Sequence, residues 1–451
     1  MTHRRLTSAM FSSESMATLF SPASTVQCML DVEAALARAL ALDGLIPAQS
    51  VMPIEQACHA DQIDMHSLIA EARHAGNLAI PLIKQLTAKV AVIHPEAARY
   101  VHWGATSQDI IDTGLVLQLC QAIDLLITEL AELADALAAH TYRYRSTPMI
   151  GRTWMQHALP ITFGLKTAGW LDVILRHQER LVGLRKTISV VQLGGAAGSL
   201  ASLGEKGLAV SENLARDLGL TVPAIPWHTH RDRIAEVGTT LGLLTGSLGK
   251  IARDISLQAQ TEIAELSEPI ANERGGSSTM PHKRNPVGCA AVLAASFRVP
   301  ALVSTLLSGM VQEHERALGG WQAEWDTLPD IVELTSAALM QLRVVIEGLT
   351  VNTERMRSNM DMTHGLVMAE AVSLALSPHL GRASAHALVE DACALAMKTD
   401  KSLFDILQHD ERVNSLISKD DLQKIVDPVN YLGQATAFVD RVLTQHRQRK
   451  H

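Results

Sequence analysis

SQDIIDTGLVLQLCQAIDLLITELAELADALAAH, residues Ser107–His140, contains an apolar stripe of helical period. Val116, Leu119, Ile123, Leu126, Leu130, Leu133 and Leu137 recur at alternating spacings of three and four, which places them on one face of an α-helix. At ~1.5 Å per residue, a helix from Ser107 to about His140 is roughly 50 Å long. A second stripe runs through Ile234, Val237, Leu241, Leu244, Leu248, Ile251 and Ile255, and a third apolar pattern occupies Ile331–Leu349. Three such helices predict an elongated bundle, extended by a partner subunit that buries the stripes.

Composition agrees. Of 451 residues, 47% are hydrophobic and only 4% aromatic, a balance that favours helices over strands. The best strand candidate is Thr187–Leu193, ending in Gly194-Gly195. Shorter segments flank the long helices. Pro47, Pro53, Pro81 and Pro95 break the chain before Tyr100, and Pro378 and Pro428 break it after Thr353. The expected fold is all-α with three helical domains: an N-terminal domain over 1–104, a central long-helix bundle over 105–353 and a C-terminal domain over 354–451.

The net charge of -8 argues against a nucleic-acid surface. Arg447, Arg449 and Lys450 read as a solvated helix end. Five widely spaced cysteines with no CxxC pair suggest a reducing compartment, without a disulfide frame or a zinc site. His228 and His230 alone make a weak metal site. Met1–Arg5 is not followed by an apolar signal region, so residues 1–21 read as a polar arm. The most apolar stretch, Val287–Val311, contains Arg298 and Pro300, and reads as a buried bundle helix rather than a membrane span. The expectation is a cytoplasmic protein without membrane contact.

Three segments carry chemistry. Gly275–Pro286, GGSSTMPHKRNP, is a loop in which Ser277 and Ser278 offer hydroxyls, Lys283 a point charge and Asn285 an amide. Together these groups suit a carboxylate or a carbanion delocalised onto one. Taken alone, a Gly-Ser-Lys loop is more often a surface turn. His102–Thr113, HWGATSQDIIDT, opens the long helix with a capping-box-like pair, Thr106 and Asp109. Free N–H groups and hydroxyls at a helix start form an anion site, although capping alone would account for the pair. The third segment is Gly151–Gly164, GRTWMQHALPITFG. His157 within it reads as a hydrogen-bonded core residue of an apolar helix.

The first segment resembles the GSSxMPxKxN signature of the fumarase/aspartase superfamily through Gly276, Ser277, Ser278, Met280, Pro281, Lys283 and Asn285. The second resembles that family's HxGxTSxDxxDT segment and the third its GRTHxQxAxP segment, with Trp154 where most members have histidine. Trp227–Glu236 resembles QxxQRDxxAE and contains Arg231. Gln312–Asp326 matches the adenylosuccinate-lyase and cycloisomerase branch and offers Arg316. Glu71–Leu86, with His74-Ala75 where adenylosuccinate lyases read His-Asp, resembles the cycloisomerase branch.

The resemblance implies a cofactor-free and metal-free enzyme acting on a small tricarboxylate, assembled as a homotetramer with active sites shared between subunits. It implies Ser277 as the proton-transfer residue, with Lys283 or His102 next in line, and Lys283 as a catalytic cation. Thr106 and Ser107 would bind a substrate carboxylate, and His102, Trp154, His157, Arg231, Ser278, Met280, Asn285 and Arg316 would complete the pocket. Two other readings stay open: a fumarate-releasing lyase such as adenylosuccinate lyase, and a non-catalytic structural member of the superfamily.

Overall fold

The computed structural model describes residues 7, 10–269, 275, 276, 279, 280 and 282–449. Ser277 and Ser278 lie outside the described residues. The three predicted long helices are present as Ser107–Arg143, Asp232–Gln258 and Gly320–Glu347. Phe163–Ile188 and Val287–Ser308 are long helices as well.

The chain forms two compact units, each assembled from three stretches. The first comprises Met1–Leu130, His177–Gly249 and Ala291–Gln341. The second comprises Ala131–Arg176, Lys250–Ala290 and Leu342–His451. In the first unit, the Pro22–Leu42 helix starts from a Ser21 side-chain cap with proline at its first position, where a missing N–H is harmless. Its face of Met29, Leu30, Leu36 and Leu40 packs into a core with Leu82, Leu86, Val90 and Leu214. In the second unit, a separate core gathers Val372, Leu376, Leu388, Leu403, Leu407 and Leu422 from the C-terminal helices.

The stripes are buried by the chain itself. Every apolar position named above in the Ser107–Arg143 and Asp232–Gln258 helices is at most 1% exposed. The expectation that a partner subunit buries them is therefore corrected. The apolar surface left open lies elsewhere, at Leu243, Phe297, Leu307, Val311 and Leu318. The Val287–Ser308 helix is not the buried bundle helix its composition suggested. Only 22% of its most apolar window is buried, against 61% for the Ser107–Arg143 helix, and both are long and apolar enough to cross a membrane.

Thr187–Leu193 is not a strand. The preceding helix runs to Ile188, and the remainder is extended backbone with one isolated parallel bridge, Val190 to Thr221. Among the described residues no strand pairs with it in a ladder, so backbone bonds to Thr221 and side-chain groups share its polar atoms. The Thr113 hydroxyl donates to the Gln192 carbonyl and accepts from the Gln192 N–H, both at 2.9 Å.

A hairpin was not foreseen. Pro148–Thr153 pairs antiparallel with Gln156–Thr162 through a two-residue turn, Trp154-Met155. Both turn residues have positive φ, 52° and 65°, the pattern of a type I′ turn, which normally uses Asn and Gly. The pairing shifts register between Ile150 and Arg152, where a Cβ on Gly151 would lie 2.8 Å from the Leu159 carbonyl oxygen.

Because Leu126 is fully buried, Leu126→Ala is expected to destabilise the protein by about 2–5 kcal/mol. A drop in Tm by calorimetry checks this, and an unchanged Tm would contradict the burial.

Candidate active site

In the first unit, the site is built on the start of the Ser107–Arg143 helix. The Thr106 N–H donates to Asp109 Oδ2 at 2.9 Å, which is half of a capping box. The Thr106 and Ser107 hydroxyls have no hydrogen-bond partner among the described residues, and both residues are partly exposed. Capping therefore leaves the two hydroxyls free for a ligand, beside N–H groups that an α-helix cannot satisfy internally.

Asp109 is buried, and four donors hold its carboxylate. Besides Thr106, the Gly194 and Gly195 N–H groups donate at 2.9 Å each, and His228 Nε2 lies 2.7 Å away. The loop must come very close for this. A Cβ on Gly194 would sit 2.7 Å from His228 Cε1, and Gly195 has φ +69°.

Asp112, one turn further on, faces Arg231 through contacts of 2.7 and 3.1 Å. Arg231 also donates from Nε and Nη2 to Glu324 and lies 4.9 Å from the Trp227 ring centroid. Trp321 Nε1 donates to Asp112 at 3.0 Å. Burial alone would lower the Arg231 pKa, but Asp112 and Glu324 outweigh it and hold the group above the usual arginine range. Burial pushes the Glu324 carboxyl up, and Arg231 only partly opposes this. The charge of Asp112 on the far side of Arg231 adds to that upward push. The sequence reading placed Arg231 against substrate. At 2% exposure, with its donors committed to carboxylates, it instead braces the helix from behind.

His102 has φ +57°, and its Nδ1 lies 2.6 Å from Oε1 of the buried Glu33. Burial disfavours the imidazolium, but the Glu33 charge and hydrogen bond outweigh it, so the His102 pKa is raised. Arg316 is an exposed residue whose Nε donates to Gln108 Oε1 at 3.2 Å and whose Nη2 donates to the Gly195 carbonyl at 3.4 Å. Thr106 and Arg316 are thus tied to neighbouring residues of the helix start, Asp109 and Gln108, while His102 is held separately by Glu33.

The second unit contains the other segments. Trp154, at the hairpin tip, is 98% exposed. His157 lies on a strand, not in an apolar helix, directly across from Arg152. Its Nδ1 is buried with no partner among the described residues, so it is not the satisfied core histidine expected. Burial and then the neighbouring Arg152 charge lower its pKa. Arg152 is fixed by a two-pronged pair with Glu265 at 2.9 and 2.7 Å, and Asn359 donates to Glu265 at 2.8 Å.

At the signature loop, the Asn285 N–H donates to the Gly275 carbonyl at 2.9 Å. Gly275 has φ +70°, and a Cβ there would lie 2.5 Å from the Asn285 oxygen. Glu268 accepts from the Gly288 and Cys289 N–H groups at 3.0 and 2.7 Å, placing an anion on the first turn of the Val287–Ser308 helix. Lys283 and Met280 are exposed, and Asn285 is partly exposed.

The sequence reading missed Glu33, Gln108, Asp112, His228 and Glu324. A signal existed for some of them. Gln108, Asp109 and Asp112 stand at helical spacing in a segment otherwise turning apolar, and Glu33 interrupts an apolar run.

Comparison with known proteins adds the following. A family model described as lyase matches residues 9–301, and one described as adenylosuccinate lyase C-terminus matches residues 365–442. The chain is 51% identical to the 3-carboxy-cis,cis-muconate cycloisomerase of Pseudomonas aeruginosa, over 98% of this chain and 96% of that protein. It is 50% identical to the Bradyrhizobium diazoefficiens protein of the same name, over 97% of each. The crystal structure of the 3-carboxy-cis,cis-muconate lactonizing enzyme from Pseudomonas putida superposes with a TM-score of 0.95 at 50% identity, covering 99% of this chain and 100% of that one.

Two tests follow. A raised His102 pKa means that pairing with Glu33 adds stability that is full below the unfolded value of about 6.5 and is lost as pH rises through the folded value. Glu33→Gln is therefore expected to lower Tm most at about pH 6, with a gap to wild type that narrows by about pH 9. An equal gap at both would show that His102 charge plays no part. Arg231→Met leaves two buried carboxylates without their cation and is expected to destabilise by about 3–5 kcal/mol, seen as a fall in Tm. A raised KM with unchanged Tm would return Arg231 to the substrate.

Proposed function

The chain belongs to the lyase family of the fumarase/aspartase superfamily, and from that premise we propose that it is a cycloisomerase that lactonises 3-carboxy-cis,cis-muconate to 4-carboxymuconolactone. This reaction lies in the protocatechuate branch of the β-ketoadipate route of aromatic degradation. The observation that carries the reading is full-length similarity at about half identity to proteins named for this reaction.

The chemistry is internal to one molecule. A substrate carboxylate oxygen attacks the far carbon of a double bond, forming the C–O bond of the lactone. The π electrons move onto the adjacent carbon and into its carboxylate, giving an aci-carboxylate. A proton delivered to that carbon completes the ring closure. Neither metal nor cofactor is required by these steps.

Each step asks something of the residues. The aci-carboxylate needs positive charge and N–H donors. Lys283, Asn285, Arg316 and the Thr106–Ser107 helix start are our candidates, and one preorganised donor of this kind is worth about 3–4 kcal/mol in the transition state. Ser277 is the candidate proton donor, a role that requires neighbouring cationic groups to lower the pKa of its hydroxyl. Ser278, Met280, His157 and Trp154 would shape the pocket around the remaining substrate. Arg231 supports the site from behind.

Trp154 fits this chemistry. Family members that expel an amine or alkoxide need an acid to protonate it. Here the group that attacks, and that would leave in reverse, is a carboxylate with a pKa near ~4, which needs no proton at neutral pH. The histidine that serves the leaving group is then dispensable.

The named segments occupy two units of one chain, and apolar side chains at Phe297, Leu307, Val311 and Leu318 stay exposed. We read both as belonging to a homotetramer whose active sites draw segments from different subunits, working as a soluble cytoplasmic enzyme.

The test is ultraviolet absorbance of purified protein mixed with 3-carboxy-cis,cis-muconate, without added metal. Loss of the conjugated-diene signal with lactone formation is expected. Cleavage of adenylosuccinate instead would overturn the substrate assignment. Trp154→His is expected to lose lactonisation without gaining adenylosuccinate or argininosuccinate cleavage, and a markedly faster Trp154→His enzyme would defeat the leaving-group argument.

A further inference from the structure

We infer that Gln108 is a positioning residue that fixes the guanidinium of Arg316 for a substrate carboxylate. The inference rests on the functional reading above. Gln108 is only 1% exposed, so it meets no substrate itself. Its side-chain amide has two hydrogens and one carbonyl oxygen, and all are used. Nε2 donates to Asp112 Oδ2 at 3.1 Å and to the His228 carbonyl at 2.9 Å. Both partners are pure acceptors, so the NH2 group must face them. The amide cannot flip, because a flip would set its oxygen against two acceptor oxygens and its NH2 against the Arg316 Nε–H. Oε1 is thereby aimed at Arg316, and Nε of Arg316 donates to it at 3.2 Å.

The support continues behind the amide. Asp112 is held by Arg231 Nη1 and Nη2 and by Trp321 Nε1. The second tether of Arg316, from Nη2 to the Gly195 carbonyl at 3.4 Å, runs through a glycine whose own N–H is held by Asp109. Adjacent residues of one helical turn, Gln108 and Asp109, therefore hold Arg316 by two routes. Nη1 makes no hydrogen bond among the described residues and is the end left for a ligand. An exposed arginine without such tethers would lose much more side-chain freedom on binding an anion, and Arg316 has part of that freedom removed in advance.

The discriminating experiment is a double-mutant cycle between position 108 and Arg316. Gln108→Met keeps the buried volume and removes the amide. Gln108→Asn keeps a polar amide in the buried position but withdraws it from Arg316 by one methylene, and serves if the methionine variant does not fold. Steady-state kinetics on 3-carboxy-cis,cis-muconate are measured in the wild-type and Arg316→Lys backgrounds. Calorimetric binding of the lactone is measured in the same proteins, so that slow variants are still read. In the wild-type background, the substitution is expected to lower kcat/KM and to weaken lactone binding, each roughly tenfold. In the Arg316→Lys background, which lacks the fork that Gln108 grips, the further change is expected to be under about twofold. Equal losses in both backgrounds would mean that Gln108 serves only the core, and no loss in the wild-type background would mean that it positions nothing; either overturns the inference. A wild-type enzyme that neither turns over the muconate nor binds the lactone would instead overturn the functional reading on which it rests.

Discussion

The most consequential interaction in the first unit is the burial of two carboxylates, Asp109 and Asp112, in the first turns of the Ser107–Arg143 helix. A buried carboxylate is tolerated only with donors on every side. Satisfying Asp109 draws in the Gly194-Gly195 backbone, His228 and Thr106. Satisfying Asp112 draws in Arg231, Trp321 and Gln108. Segments far apart in sequence are gathered by the demands of two side chains, and the free hydroxyls of Thr106 and Ser107 sit just ahead of them.

This explains which parts were legible in the sequence. The long helices were, because a stripe such as Val116 to Leu137 has only one way to hide its apolar face. The helix start in HWGATSQDIIDT was legible, since the Thr106–Asp109 capping pair speaks locally. The second layer was not. That Arg231 turns inward to Glu324 while Arg316 faces out is decided by partners about a hundred residues away or more, and both look like cations in a conserved-looking motif. Composition also misled at Val287–Ser308, where apolarity was taken for burial in this chain and most of the face proves open.

The hairpin was hidden for a different reason. Its turn carries none of the residues that announce a type I′ geometry. Trp154 and Met155 occupy left-handed backbone that bulky residues avoid, at a cost of order 1–3 kcal/mol each. The register shift at Gly151 and the Arg152–Glu265–Asn359 cluster beneath hold the strands that impose it. Local preference loses here to packing that the sequence window does not contain.

That strain bears on chemistry. Trp154 stands where the GRTHxQxAxP segment that this stretch resembles reads histidine, and the two residues would deliver different chemistry from this tip. A histidine delivers a proton, and a tryptophan delivers apolar area and an N–H donor. For a reaction whose attacking group is already a carboxylate, a proton at that place would be worse than useless, since it would neutralise the nucleophile. An indole brings no titratable proton at neutral pH and leaves the carboxylate charged. On the proposed reading, the tip favours ring closure by what it withholds, the proton that a histidine would bring to the attacking carboxylate.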